Sequence, residues 1–156
     1  MMIRNAVEAD YNNVIAIVND WCGGNRASEV LPRLLFKHFS DTCFILEENG
    51  KMVGYLAGYI SQTHPEQACI HFFGIDPSCR GKSYGRLAYR YFFHTVKQQG
   101  CSSVQCVVPV ENKQSIMFHQ ALGFETREGD TIIDGIHCHR NYDGAGCDMA
   151  VFIKRI

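Results

Sequence analysis

Apolar and polar positions follow two different periods along this chain, and the switches between them mark its elements. Met2–Val7 reads as a first strand. Ala9–Trp21 carries Val14, Ile15, Val18 and Trp21 at helical spacing. Cys22-Gly23-Gly24-Asn25 breaks that helix. Glu29–Phe39 reads as a second helix with Pro32 in its first turn, where proline is tolerated. Thr42–Glu47 and Lys51–Ile60 read as strands of a hairpin turned at Asn49-Gly50. Gln67–Ile75 is a fourth strand. Ser83–Gln99 reads as a helix whose stripe of Leu87, Ala88, Tyr91, Phe92 and Val96 seeks the core, stopped by Gly100. Ser103–Val108 is a fifth strand, Lys113–Leu122 a short helix and Met149–Lys154 a last strand, with Thr131–Ile136 a further strand. Hairpins interspersed with helices predict an α+β, or mixed α/β, layout around one central sheet.

Composition bounds this picture without changing it. With 156 residues and neither repeats nor a linker, one domain over residues 1–156 is expected. The net charge of −1, without a basic stripe, gives no reason to expect nucleic acid as a partner. No leader-like segment or run of about 20 apolar residues occurs, so no membrane span is expected and the cytoplasm is the expected compartment. The 8 cysteines are scattered through apolar segments and are expected to be reduced, small and buried. There is no CxxC pair. His137, Cys138, His139 and Cys147 could in principle hold a metal, but a polar loop is the stronger reading, and no metal is expected.

The chemistry concentrates in Ile70–Gly100, where a strand runs through Asp76-Pro77 into Arg80-Gly81-Lys82-Ser83-Tyr84-Gly85 and then a helix. Unpaired N–H groups and the dipole at a helix start favour an anion. Small residues let backbone approach a phosphate, and Arg80 and Lys82 add charge. The loop lacks both the Walker A spacing and the GxGxxG fingerprint.

The loop resembles the acyl-CoA pyrophosphate loop [QR]-x-x-G-x-[GA] of the GNAT acyltransferase superfamily, as Arg80-x-x-Ser83-x-Gly85, with serine at the middle glycine. A second segment, Asn112 to Phe124, is similar to the superfamily's N-x-x-[SA]-x-x-[FL]-Y-x-x-x-G-F, with His119 in place of tyrosine. The resemblance implies a twisted, mostly antiparallel sheet flanked by helices. Its fourth and fifth strands would be parallel and splayed, with acyl-CoA in the resulting V.

It further implies an N-acetyltransferase using acetyl-CoA. A primary amine, on a small molecule or a peptide, would attack directly in a ternary complex. Dimers are common in the superfamily, so a homodimer is among the expectations. A non-catalytic acyl-CoA-binding or regulatory module is the rival reading, given Ser83 and His119. A ping-pong route through Cys69 or Cys79 lacks a base partner for either thiol.

The residues take roles accordingly. Cofactor binding falls to Arg80, Gly81, Lys82, Ser83, Tyr84 and Gly85, to the backbone of Phe73, Gly74 and Ile75, and to Asn112, Ser115 and Phe118. Gly74 is the expected bulge, freeing an N–H to polarise the thioester carbonyl. Asn112 reads equally as a helix N-cap. His71 is the leading base, taken to share a face with Cys69 and Phe73, with Glu29 and Glu66 behind it; a packed core histidine is as good a reading. His119 would replace the superfamily tyrosine beside the departing thiolate, or only pack on its helix. Trp21, Asn25 and Arg26 would line the acceptor pocket. The stretch 135–146 is expected to be a surface loop, and Cys79 is expected to be exposed beside the cofactor with a reactive thiol.

Overall fold

The structure, a computed structural model, describes residues 1–22 and 26–156. Its main sheet has seven strands in the order β1-β2-β3-β4-β5-β9-β6. These are β1 Met2–Asn5, β2 Cys43–Glu48, β3 Lys51–Ile60, β4 Gln67–Ile75, β5 Ser103–Pro109, β6 Glu125–Thr126 and β9 Met149–Arg155. The β2–β3 hairpin turns where expected, with φ of 53° at Asn49 and 74° at Gly50, the mirror-image turn that matches strand twist. All pairings are antiparallel except β4 with β5, which is parallel.

That parallel pair positions the site. Its register runs from Gln67↔Ser103 to Ile70↔Cys106 and stops. Beyond it β4 continues along β3 to Ile75, and β5 continues along β9 to Pro109. The two strands therefore part after Ile70 and Cys106, which leaves each with an unpaired edge. This is the expected splay.

Helices cover both faces. Helix α4 (Tyr84–Gln98) packs Ala88, Tyr89, Phe92 and Val96 onto Phe44, Leu56, Ile70 and Val104. Each large side chain so buried contributes about 1.5–3 kcal/mol. The stripe is centred on Tyr89 rather than on the expected Leu87 and Tyr91, which stay exposed. On the other face, α1 (Asp10–Cys22) and α3 (Arg33–His38) pack Val14, Val18, Leu35 and Phe36 onto Ile45, Tyr55 and Ala57. Helix α5 (Lys113–Ala121) follows β5.

Two expected elements differ, and one strand was not expected. The helix expected over Glu29–Phe39 is two, α2 (Ala27–Val30) and α3. Leu31 precedes Pro32 and is extended, because the proline ring crowds an α conformation there; the chain must turn before it can resume a helix. The strand expected over Thr131–Ile136 is a hairpin, β7 (Thr131–Ile133) with β8 (Ile136–Cys138), because Asp134 and Gly135 both take positive φ. Strand β6 carries no sequence signal; two residues on the sheet edge exist only because β9 is there to pair with.

Candidate active site

The loop expected to hold phosphate runs from the end of β4 into α4, as the sequence predicts. Asp76 Oδ1 accepts from the Ser78 N–H at 2.8 Å and closes a short 3₁₀ turn over Pro77–Cys79. Gly81 and Ser83 then take φ of 79° and 64°. The first bond of α4 runs from Leu87 N–H to Ser83 O at 3.1 Å, so the amides just before it have no intrahelical acceptor. Gly85 is needed for space: a Cβ there would stand 3.0 Å from the Phe118 ring and 3.2 Å from that of Phe73. Those two rings stack at 5.6 Å and join β4 to α5.

The cations of the loop are already engaged. Lys82 lies 3.7 Å from Glu48, whose carboxylate also accepts from the Tyr84 hydroxyl. That hydrogen bond, with Lys82 adding charge, holds the Glu48 carboxyl below its usual range. Arg80 leaves the loop altogether. It donates to the Trp21 carbonyl at 2.7 Å and reaches Gln114 at 3.4 Å. Cys79 is buried at 8% exposure against the α4-side core, contrary to the expectation of an exposed thiol. All 8 cysteines are free, and six of them are buried.

The bulge lies at His71 and not at Gly74. Ala57 pairs with Phe72 and Gly58 with Ile70, so His71 is the extra residue. One added residue reverses the alternation. Ala68 and Ile70 face α4 before the bulge, and Phe73 and Ile75 do so after it, so Phe73 does not share the face of Cys69. Gly74 is glycine for a different reason: a Cβ would stand 2.6 Å from the Tyr55 ring. His71 itself is exposed, and it is the first residue past the point where β4 and β5 part. Its Nε2 meets the Val30 carbonyl at 3.1 Å. A carbonyl only accepts, so Nε2 carries the hydrogen and Nδ1 keeps its lone pair.

His119 is elsewhere. It is 4% exposed, stacked on Phe152 at 5.4 Å. Its Nδ1–H donates to the Ser115 carbonyl at 2.7 Å, and Nε2 accepts from the Tyr89 hydroxyl at 2.9 Å. Burial holds its pKa below the ordinary histidine value. The imidazole is a neutral core group with both nitrogens committed, which matches the packing alternative. Asn112 likewise uses Oδ1 to cap α5, accepting from Ser115 N–H at 3.1 Å, and its amide nitrogen has no partner among the described residues.

Of the residues expected to line the acceptor pocket, Trp21 and Arg26 fall at the ends of α1 and α2, which lie against β4. Trp21 stacks on Tyr55 at 6.2 Å. Cys22 meets the Tyr55 hydroxyl at 3.2 Å and the Phe73 carbonyl at 3.6 Å, which fastens the end of α1 to β4. Arg26 pairs with Glu29 at 3.0 Å, both exposed. Asn25 lies outside the described residues. Glu66 is at the closed end of the β4–β5 pair, where its carbonyl accepts from the amides of Ser102 and Ser103, far along the strand from the splay. The Tyr59 hydroxyl is pushed up to about 12 by burial, then by Cys69, and last by Tyr142. Cys22, Tyr55, Glu48 and Tyr89 carried no motif. Each matters through a partner at least 30 residues away in sequence, and no local pattern encodes such a pairing. A concavity of about 760 Å³, lined by Ser102, Gly123, Glu125 and Lys154 at the other end of β5, holds none of these groups.

Splayed parallel strands, a positive-φ loop and a helix opening between them define an acyltransferase-type α+β domain. The chain belongs to the acetyltransferase (GNAT) family, whose model matches residues 11–124. It is 38% identical over 98 residues to an uncharacterised N-acetyltransferase of Methanocaldococcus jannaschii, covering 60% of this chain and 43% of that protein. Among solved structures, a GNAT-family acetyltransferase from Desulfovibrio desulfuricans superposes with a TM-score of 0.79 at 15% identity, covering 99% of this chain and 98% of that one. A diaminobutyrate acetyltransferase from Paenibacillus lautus, solved with L-2,4-diaminobutyric acid and coenzyme A, superposes with a TM-score of 0.69 at 18% identity over 97% and 92%. The chain spans less than half the length of the curated relatives it matches.

Proposed function

We propose that this protein transfers an acetyl group from acetyl-CoA to a primary amine, on a small molecule or a peptide, by direct attack in a ternary complex. The observation that carries the reading is the parting of β4 and β5 after Ile70 and Cys106, with the loop 80–85 at the mouth. The unpaired edge of β4 suits the amides of pantetheine, and the free amides opening α4 suit the pyrophosphate. Phe118, Ser115 and the spare amide of Asn112 would line the cofactor from the α5 side.

His71 is the base in this reading. An amine of pKa about 10.4 costs about 4.6 kcal/mol to neutralise at pH 7, so a nearby acceptor of its proton is valuable. The Val30 carbonyl fixes the tautomer that leaves Nδ1 free to take that proton. His119 takes no part in proton transfer, because its two nitrogens are spent inside the core. The thiolate of CoA, pKa about 8.5, leaves without a dedicated acid.

The test is thiol release from acetyl-CoA against a panel of primary amines, including L-2,4-diaminobutyrate and alanyl peptides. Amine-dependent release is expected. In His71→Ala, kcat/KM should fall by roughly 10²-fold at neutral pH and recover as the amine deprotonates at high pH. CoA binding without release above background would instead identify a non-catalytic binding module.

A further inference from the structure

The guanidinium of Arg80 does not wait for phosphate; it sits on the last turn of α1. Its Nη2 donates to the Trp21 carbonyl at 2.7 Å. That turn contains no basic side chain, and the carbonyls at a helix C-terminus are the negative end of its dipole. The adjacent Cys22 is tied to Phe73 O at 3.6 Å, so this carbonyl stands beside β4 past the point where the strands part. The same guanidinium therefore links the loop at the mouth of the V to the end of α1.

A pyrophosphate outbids a neutral carbonyl for an arginine, because it offers paired anionic oxygens to the planar fork. Once Arg80 turns to the cofactor, the end of α1 loses its cation. A primary ammonium carries three donors and a positive charge, which is what the vacated carbonyl favours.

We propose that the Trp21 carbonyl is a cation subsite, held by Arg80 in the free protein and passed to the acceptor's ammonium when the cofactor's phosphates take Arg80. The inference rests on the acyl-CoA reading above. It assigns Arg80 a positioning role beyond phosphate binding, and it makes the acceptor a cationic amine whose binding is coupled favourably to that of CoA.

The chain has 1 tryptophan, so its emission reports on this turn alone. CoA is titrated into the wild type, Arg80→Gln and Lys82→Gln, with calorimetry in parallel to measure binding itself. Butylammonium, and butanol as its uncharged counterpart, are then titrated with and without saturating CoA. CoA is expected to shift Trp21 emission in the wild type and in Lys82→Gln. Arg80→Gln should start from the shifted emission and change little. Butylammonium should bind about tenfold tighter in the presence of CoA in the wild type, with no such dependence in Arg80→Gln and none for butanol. If calorimetry shows CoA bound while Trp21 emission stays unchanged, or if butylammonium binds the wild type equally well without CoA, the subsite is refuted and the cofactor site stands. If CoA does not bind at all, both readings fall.

Discussion

Replacing Ser83 by glycine tests the conformation of the loop 80–85 directly. Ser83 stands at φ 64°, ψ 10°, in the left-handed region, and its hydroxyl makes no capping bond to α4. A non-glycine residue there pays about 1–2 kcal/mol. Glycine removes that cost and returns about 0.4–1 kcal/mol through the freedom it adds to the unfolded chain. The net expectation for Ser83→Gly is a gain of about 0.5–1 kcal/mol. For a chain of this size that raises Tm by about 1–4 °C. Urea unfolding with an unchanged m-value measures it. Ser83→Ala is the control: it keeps the Cβ, so its stability should stay within about 0.5 kcal/mol of the wild type. A glycine variant that is less stable than the wild type would refute the reasoning. So would an alanine variant that loses more than about 1 kcal/mol, which would mean that the hydroxyl holds the loop. CoA affinity read by calorimetry should be retained in Ser83→Gly, since the loop already has the shape glycine favours.

Further expectations concern the core around the site. Burial depresses the pKa of His119 in the fold, so the stability it confers is complete above about pH 6.5 and erodes as pH falls below that. His119→Gln should flatten this part of the stability–pH curve while the pH profile of kcat keeps its shape, measured by urea unfolding and turnover across pH. Gly74→Ala drives a methyl into the buried Tyr55 ring and should cost about 1–3 kcal/mol by the same unfolding assay, with thiol release falling as β4 is displaced. Asp10, 7% exposed, accepts from Arg4 at 2.8 and 2.9 Å and from the Val7 amide at 2.8 Å. Arg4 first, then that amide, holds its carboxyl below the usual range. Its contribution is complete above about pH 4 and is lost as pH falls further. Asp10→Asn should cost about 2 kcal/mol at neutral pH, discounted for the partial exposure of Arg4, and the difference from wild type should shrink on acidification.

Most of the fold was legible because its signals are local. Period-2 runs placed β2 to β5 and β9 within a residue or two, and Asn49-Gly50 placed their first hairpin. The loop Arg80–Gly85 was legible because charge and small residues gather ahead of an amphipathic helix. The misreadings have two causes. Pro32 was placed in a first turn, but the constraint falls on Leu31 before it. His71 was given a face by strict alternation, which one extra residue reversed. Gly74 was read as a bulge, when the reason for its missing side chain is a tyrosine on the neighbouring strand. For His71 and Gly74 the deciding feature lies outside the local pattern, in the register and side chains of the neighbouring strand, whereas at Leu31 it is the next residue along the chain.

What the amino-acid sequence determined by itself is the order of the main elements and the glycine-rich turn into α4, because hydrophobic period, turn residues and helix starts are properties of neighbouring residues. Only the tertiary structure decided what the two histidines can do. Both lie in segments with the same helical or strand patterns as their neighbours. Yet His71 emerges at the parting of β4 and β5 with one nitrogen unpartnered among the described residues, whereas His119 is sealed between Tyr89 and Ser115. The difference lies in whether a buried partner claims each ring nitrogen, and that depends on which helices and strands pack together.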